Sequence, residues 1–394
     1  MSAIDELICA AVRGDDPPWP IQGDGEDVAR FLIRSAYHGV QPLLHRSMQM
    51  SGERRSSWPK DILDSCRNAT VAQTVREVGR QAILKRALSR LSEIGVRPIL
   101  FKGTALAYDV YPSPSLRTRG DTDLLIPDDA RNQVCEALEG LGFACEFGQR
   151  GEFVSQTAVY TLQDPNLGEH QLDIHWRISN AVVLSKLFSY NELFSVAKPL
   201  PMLSSHAFAV DHVDAILIAC MHRAAHKQAP YFVNDVEYYG GDRLIWLYDI
   251  HLLMSKLTQF QQDRFVHMAS EKGLREICSE AIEQSIACFH TSVPEQMRKA
   301  LIEQGQGGKA SRFLNGSVTY QYYANFMAVE GAGNKLSFLA GLLFPPAKYM
   351  RRVYYNVKPD FLAWLYLRRI GIEVFKRLRR SIAAGHAGPR KSEQ

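Results

Sequence analysis

Asp121 and Asp123 stand two residues apart at the head of the apolar run Leu124-Leu125-Ile126. A strand turns residues i and i+2 to one face, so both carboxylates project together, an arrangement that can bind a divalent metal. Taken alone, the pair reads equally well as the exposed start of a strand that then enters a core. Its neighbours add weight. Lys102-Gly103-Thr104 lies at a predicted strand-to-helix junction, where free backbone N–H groups and the helix dipole favour phosphate and glycine permits close approach. Lys102, Arg117 and Arg119 set three cations beside the two carboxylates, which suits a meeting of triphosphate and magnesium, or else salt bridging among these charges. A two-metal phosphoryl-transfer site needs a third carboxylate, and Asp173 in His170-Gln171-Leu172-Asp173-Ile174-His175-Trp176 is the candidate. On a strand, Leu172, Ile174 and Trp176 share one face while Asp173 and His175 share the other; His175 reads equally as a half-buried strand residue.

Two further groups have weaker claims. His222 and His226 lie four apart on a predicted helix and could both face a metal, but the zinc-protease motif needs glutamate where Arg223 stands. Core packing is the competing reading. Arg243, Trp246, Asp249 and His251 span a little over two helical turns, consistent with the wall of an acceptor pocket or with a packed helix holding one buried ion pair. Gly305-Gln306-Gly307-Gly308-Lys309 fails as a phosphate loop because Glu303 occupies the position of the first glycine, and no G-x-S-x-G elbow supports a hydrolase.

The elements that must position these residues follow from periodicity. Apolar residues recur at helical spacing over 28–48 and 71–94. The pattern then changes to a strand at 96–101, a short helix at 103–110, a strand at 121–126, a helix at 128–141 and strands at 143–147, 153–162 and 170–176. That alternation predicts a small mixed sheet with helices on one side. Helices return at 213–226, 242–257, 261–272, 274–288, 294–304 and 313–327, with more after the Pro345-Pro346 pair. The expected class is α+β: an N-terminal helical segment (1–94), a sheet-bearing core (95–185), a helical domain (186–335) and a basic helical C-terminal segment (336–394).

With 394 residues the chain exceeds the size at which one core usually stops growing, so two or three structural units are expected. Seven cysteines without a CxxC pair suggest neither a disulfide framework nor a cysteine zinc site. Neither a signal-peptide run nor a stretch of about 18 apolar residues occurs, so a cytoplasmic protein without a transmembrane segment is expected. Charge is uneven: residues 348–394 hold twelve Lys/Arg against three acids, a net +9, while the whole chain is +4. Aromatic residues interleave with those arginines, and the segment points to an anionic partner, whether RNA, a lipid surface or a phosphorylated substrate. A solvated face packed on the body is the alternative.

The run ILFKGTALAYDVYPSPSLRTRGDTDLLI, then a helix with LGF, then HQLDIHWRIS, resembles the uncharacterised nucleotidyltransferase family of bacteria, within the polymerase-β-like superfamily. CMHRAAH, RLIWLYDIHLL, LLFPPAKYMRR and YLRRI are similar to its helical half, so the resemblance covers most of the chain. Abortive-infection toxin nucleotidyltransferases share the shorter pattern of a KG(G)T-A-L helix followed by R-x-x-D-x-D. The resemblance implies that Asp121 and Asp123 hold Mg2+, or Mn2+ in its place, and that Asp173 completes the metal site and helps deprotonate the acceptor. It implies too that Gly103 and Thr104 hold the phosphates of the nucleoside triphosphate, with Lys102, Arg117 and Arg119, the cations beside them, as further candidates to bind it. His175, His222, His226, Arg243, Trp246 and Asp249 are the candidates to face the acceptor. Threonine stands where the superfamily has serine, and the gap from Gly103 to Asp121 is long. The implied reaction moves a nucleoside monophosphate from an NTP to an acceptor, which could be a small molecule, glycan, peptide or tRNA, and releases pyrophosphate. The rival reading is a catalytically degenerate adaptor that binds RNA or an anionic membrane through its basic C-terminus.

Overall fold

The computed structural model describes residues 2–20, 25–50, 57–145, 156–165, 168–227, 230–233, 236–239, 241–303, 308–345, 347, 350–351, 361–369 and 371. It opens with four helices: α1 (Ala3–Arg13), α2 (Gly25–His38), α3 (Gln41–Met50) and α4 (Lys60–Glu93). The helix expected over 28–48 is two, because Gly39 sits at φ +69° between them and its carbonyl accepts from Thr118 Oγ1 at 2.7 Å. A Cβ there would lie 2.7 Å from that hydroxyl oxygen and 2.8 Å from Arg243 Nη2, so the break is also a point of close approach to the site-bearing segment. α4 starts at Lys60 just after Pro59, well before the predicted 71, and runs 34 residues, about 50 Å. Its two ends are buried around Ile62 and Leu88, whereas Val71, Val75 and Val78 in its middle are exposed.

Seven strands form one mixed sheet: β1 (Ile99–Phe101), β2 (Thr122–Leu125), β3 (Ala144–Cys145), β4 (Thr157–Asp164), β5 (Gly168–His175), β6 (Lys198–Pro199) and β7 (Phe208–Ala209). Their order is β3-β4-β5-β2-β1-β7-β6. β2 runs parallel to β5 and antiparallel to β1, while β1 runs parallel to β7. The expected strands at 143–147 and 153–162 overlap β3 and β4, with 146–155 outside the described residues. β6 and β7, two residues each, carry no alternation long enough to announce them in the sequence.

Helices cover the sheet on both faces, not one. Leu100, Leu124, Leu172 and Ile174 pack with α4 and with α6 (Arg131–Glu139), through Leu84, Leu88, Leu91, Val134 and Leu138. Ile99, Phe101 and Leu125, one residue out of phase, enter a second core. Burial of both faces explains the unbroken apolar runs Ile99-Leu100-Phe101 and Leu124-Leu125-Ile126.

The second core joins distant parts of the chain: Ile8, Phe31, Leu44 and Ile62 from the N-terminal helices share it with Ile216, Ile250 and Ile277. After α5 (Lys102–Asp109) and α6, its helices are α7 (Val182–Ser185), α8 (Tyr190–Ser195), α9 (His212–His226), α10 (Leu244–Met254), α11 (Gln259–Glu271), α12 (Arg275–Phe289) and α13 (Glu295–Glu303). A hairpin of β8 (Pro230–Val233) and β9 (Val236–Tyr239), absent from the sequence expectation, separates α9 from α10. α14 (Lys309–Asn315), α15 (Val318–Ala328) and α16 (Ala332–Leu343) follow. The fold class is α+β with a helical C-terminal region, and among the described residues no helix is long and apolar enough to cross a membrane.

Candidate active site

Strand phase brings the carboxylates together. In the parallel pairing of β2 with β5, Asp123 lies opposite Asp173 and Leu125 opposite His175; in the antiparallel pairing with β1, Asp123 lies opposite Phe101. Asp121, Asp123 and Leu125 alternate with the residues that enter the α4/α6 core, so the carboxylates sit on the face turned toward α9 and α10. A cleft of about 400 Å³ opens there, a typical size for a small-molecule site. On its sheet side are Lys102, Gly103, Asp121, Asp123, Asp173 and His175, with Arg117 and Arg119 along the intervening loop. α9 contributes Ala215, Ala219, His222 and His226, a stripe at helical spacing, and the opposite wall carries Arg243, Trp246 and Asp249.

Asp123 is the best-held carboxylate. Its Oδ1 accepts from Lys102 Nζ at 2.6 Å and lies 2.9 Å from His175 Nε2. Burial pushes its pKa up, but the Lys102 ammonium and the His175 bond more than offset this and keep it well below the usual carboxylate range. Asp173 has no such cation: burial, then the charge of Asp121, push it up to about 6, although Gln171 Nε2 donates to its Oδ1 at 2.8 Å. Asp121 is raised by burial and by Asp123. Three carboxylates crowd one cleft, and two of them resist ionisation.

This crowding has a measurable consequence. A pKa raised in the folded state contributes stability that is present below the unfolded value and is lost as pH rises through the folded one. With metal chelated, the stability of the wild type relative to Asp173→Asn should therefore fall between about pH 4 and pH 7, by on the order of 2 kcal/mol. Urea unfolding of both proteins across that range checks this; parallel curves would remove Asp173 from the repulsive cluster.

Lys102 reaches Asp123 because of its backbone. The junction from β1 into α5 needs a left-handed residue, and Lys102, not Gly103, adopts it at φ +57°. A non-glycine residue there costs on the order of 1 kcal/mol, strain typical of functional positions. At Gly103 the nearest atoms to an added Cβ would be those of Arg117 and Arg119 at 3.5 Å, ordinary contact. Thr104 does not reach the cleft: its buried hydroxyl donates to the Asp121 carbonyl at 3.3 Å and accepts from Arg119 Nε at 3.0 Å, bracing the loop from within.

The two loop arginines are engaged, as the salt-bridging alternative has it, though with partners from elsewhere in the chain. Arg117 Nε and Nη2 grip Asp249 at 2.8 and 2.7 Å, and Tyr111 adds its hydroxyl to the same carboxylate at 2.7 Å. Arg119 Nη2 meets Glu77 at 2.6 Å, and Arg80 Nη2 donates to the Arg119 carbonyl at 3.1 Å. Glu77 and Arg80, one turn apart on α4, thus hold the loop that carries Asp121. Sequence reasoning missed both, because α4 carries charged residues along its whole length and nothing local marks these two.

On the far wall the His222 ring lies 4.5 Å from that of His226 and edge-on to Trp246 at 5.3 Å, with Arg243 over the same indole. Burial, then the charges of His226 and Lys102, depress the His222 pKa well below its ordinary value, so the imidazole is neutral at pH 7. Arg243 Nε also donates to the Tyr37 carbonyl at 2.7 Å. His251 lies apart from the cleft, its Nδ1 3.0 Å from Thr291 Oγ1 and its ring stacked on Tyr248.

Asp123, Asp173 and His175 each offer a potential ligand atom within 4.8 Å of the others, a group that could hold a metal ion. Asp121, expected in that set, is not in this group but lines the same cleft. No curated protein gives a significant match to the chain. A family model does match, over residues 24–290, a span that holds every cleft residue named above. The chain therefore belongs to the uncharacterised nucleotidyltransferase family, as a transferase whose cleft lies between a mixed sheet and two helices.

Proposed function

We propose that the chain transfers a nucleoside monophosphate from an NTP to an acceptor hydroxyl in a Mg2+-dependent reaction, with Asp121, Asp123 and Asp173 holding the metal. The observation that carries this reading is the Asp123–Asp173 pairing across parallel strands, with a lysine already neutralising one partner. Two carboxylates that resist ionisation beside a third are a donor set that a divalent cation relieves. Mg2+, or Mn2+ in its place, would supply charge neutralisation on the triphosphate and alignment for in-line attack.

The chain's own groups do the rest. Lys102 Nζ, once Asp123 is otherwise neutralised, is free to take a phosphate oxygen, and the backbone N–H groups of the first turn of α5 favour the same anion. Arg117 and Arg119, each paired with a carboxylate, line the loop wall of the cleft and would turn guanidinium N–H groups toward the triphosphate. Asp173 Oδ2, which no described residue bonds, would take the acceptor proton as the acceptor oxygen bonds to the α-phosphorus and pyrophosphate leaves. His222, His226, Arg243 and Trp246 would face the acceptor, with neutral His222 able to donate or accept.

The test is transfer itself. Purified protein incubated with each α-labelled NTP, Mg2+ and a cell extract should label an acceptor and release pyrophosphate, and a chelator should stop both. No transfer and no nucleotide-dependent thermal shift in any combination would overturn the reading.

A further inference from the structure

Among the described residues, twelve of the twenty-one exposed large apolar side chains fall after position 317. Their spacing is regular. On α16, Phe338 and Leu342 form one apolar stripe that packs with Val182 and Val329, while Leu336, Leu339 and Leu343, at i, i+3 and i+7, form a second stripe in solvent. Phe338 is 4% exposed and Leu336 70%. α15 repeats this: Phe326 and Ala328 pack on the same cluster, and Tyr320, Tyr323 and Met327 are exposed. The stretch 361–369 buries Leu365 and exposes Phe361, Trp364 and Leu367. Tyr366 ties it to the end of α16, its hydroxyl donating to the Pro345 carbonyl and its ring 5.6 Å from Phe344.

A helix apolar on two sides is normally enclosed by protein or lipid. These helices, of 11 and 12 residues, fall short of the roughly 20 needed to span a bilayer. The segment from 348 onward brings a net charge of +9. We propose that α15, α16 and 361–369 form an interfacial docking surface for an anionic lipid bilayer. The aliphatic members of the stripes decide against RNA: leucines gain nothing from phosphate or ribose, whereas tyrosine, tryptophan and leucine beside arginines suit the boundary of headgroup and acyl chain. A second copy of the chain would add a second segment of net charge +9, whereas an anionic leaflet complements that charge. The surface lies beyond residue 290, where the family match ends, so it is carried by a part of the chain separate from the catalytic cleft.

Flotation of the full-length protein with phosphatidylcholine vesicles, with and without a minority of phosphatidylglycerol, tests this. The protein should float with the anionic vesicles, and raised salt should weaken binding. Leu339→Asp with Leu343→Asp, both at solvent-facing positions, should reduce binding by about tenfold for each leucine without changing the thermal melt. Ile302→Asp, at an exposed apolar position outside the surface, should bind like wild type. Wild-type protein that stays in solution with anionic vesicles at low salt would overturn the proposal. So would a double variant that binds undiminished, RNA binding without vesicle binding, or a dimer that the double variant dissociates.

Discussion

Replacing Asp121 by asparagine should lower nucleotidyl transfer by on the order of 1000-fold while leaving the metal-free protein at least as stable as wild type. The two halves have one cause. Burial and the neighbouring Asp123 raise the pKa of Asp121, so its ionised form costs the folded state at neutral pH, a cost that becomes useful only when a cation is present. Asparagine keeps the shape and removes the charge. Asp123→Asn makes the contrast: it too should lose transfer, but it removes the charge that holds Lys102 and His175, leaves the lysine ammonium without its counter-ion, and should lower the melting temperature. Single-turnover rates with labelled NTP, paired with thermal melts in a chelator, read both quantities. An Asp121→Asn protein with an unchanged rate would take Asp121 out of the metal site, and one that melts well below wild type would show that its carboxylate is structural.

The carboxylates were legible because the strand phase that turns them to one face is local. A period of two assigns Asp121 and Asp123 to one face, and the same count on 170–176 separates Asp173 and His175 from Leu172, Ile174 and Trp176. The helical half is legible for the same reason, its 3.6-residue periodicity having marked α9 through α13 within a few residues of their observed ends. What stayed hidden depends on contacts across the chain. The Arg117–Asp249 pair spans 132 positions, and Arg119–Glu77 spans 42, distances at which periodicity carries no information. The sharing of one core by the N-terminal helices and those after 190 is of the same kind. The left-handed turn at Lys102 was obscured by the adjacent glycine, the residue to which such a conformation is ordinarily assigned. Val75 and Val78 mislead in the opposite sense: their spacing is that of a buried stripe, yet α4 is so long that its middle passes between two cores.

The Arg117–Asp249 pair offers a way to separate support from chemistry. It is buried and bidentate, and it joins the loop before Asp121 to α10 across the cleft. Arg117→Ala leaves the Asp249 carboxylate buried with the Tyr111 hydroxyl as its one remaining described donor, which should destabilise the protein by about 3–5 kcal/mol and cut transfer as well. Because a buried ion pair can often be exchanged for apolar groups of similar volume at little cost, Arg117→Met combined with Asp249→Leu should recover most of that stability. Transfer should stay low in this double variant, because an apolar pair restores packing but leaves the wall facing the triphosphate without the Arg117 guanidinium. Urea unfolding and single-turnover transfer, measured on the wild type, both single variants and the double, give the coupling energy for each property. If transfer returned along with stability, Arg117 would be a strut between the loop and α10; if stability alone returned, its charge would act on the nucleotide.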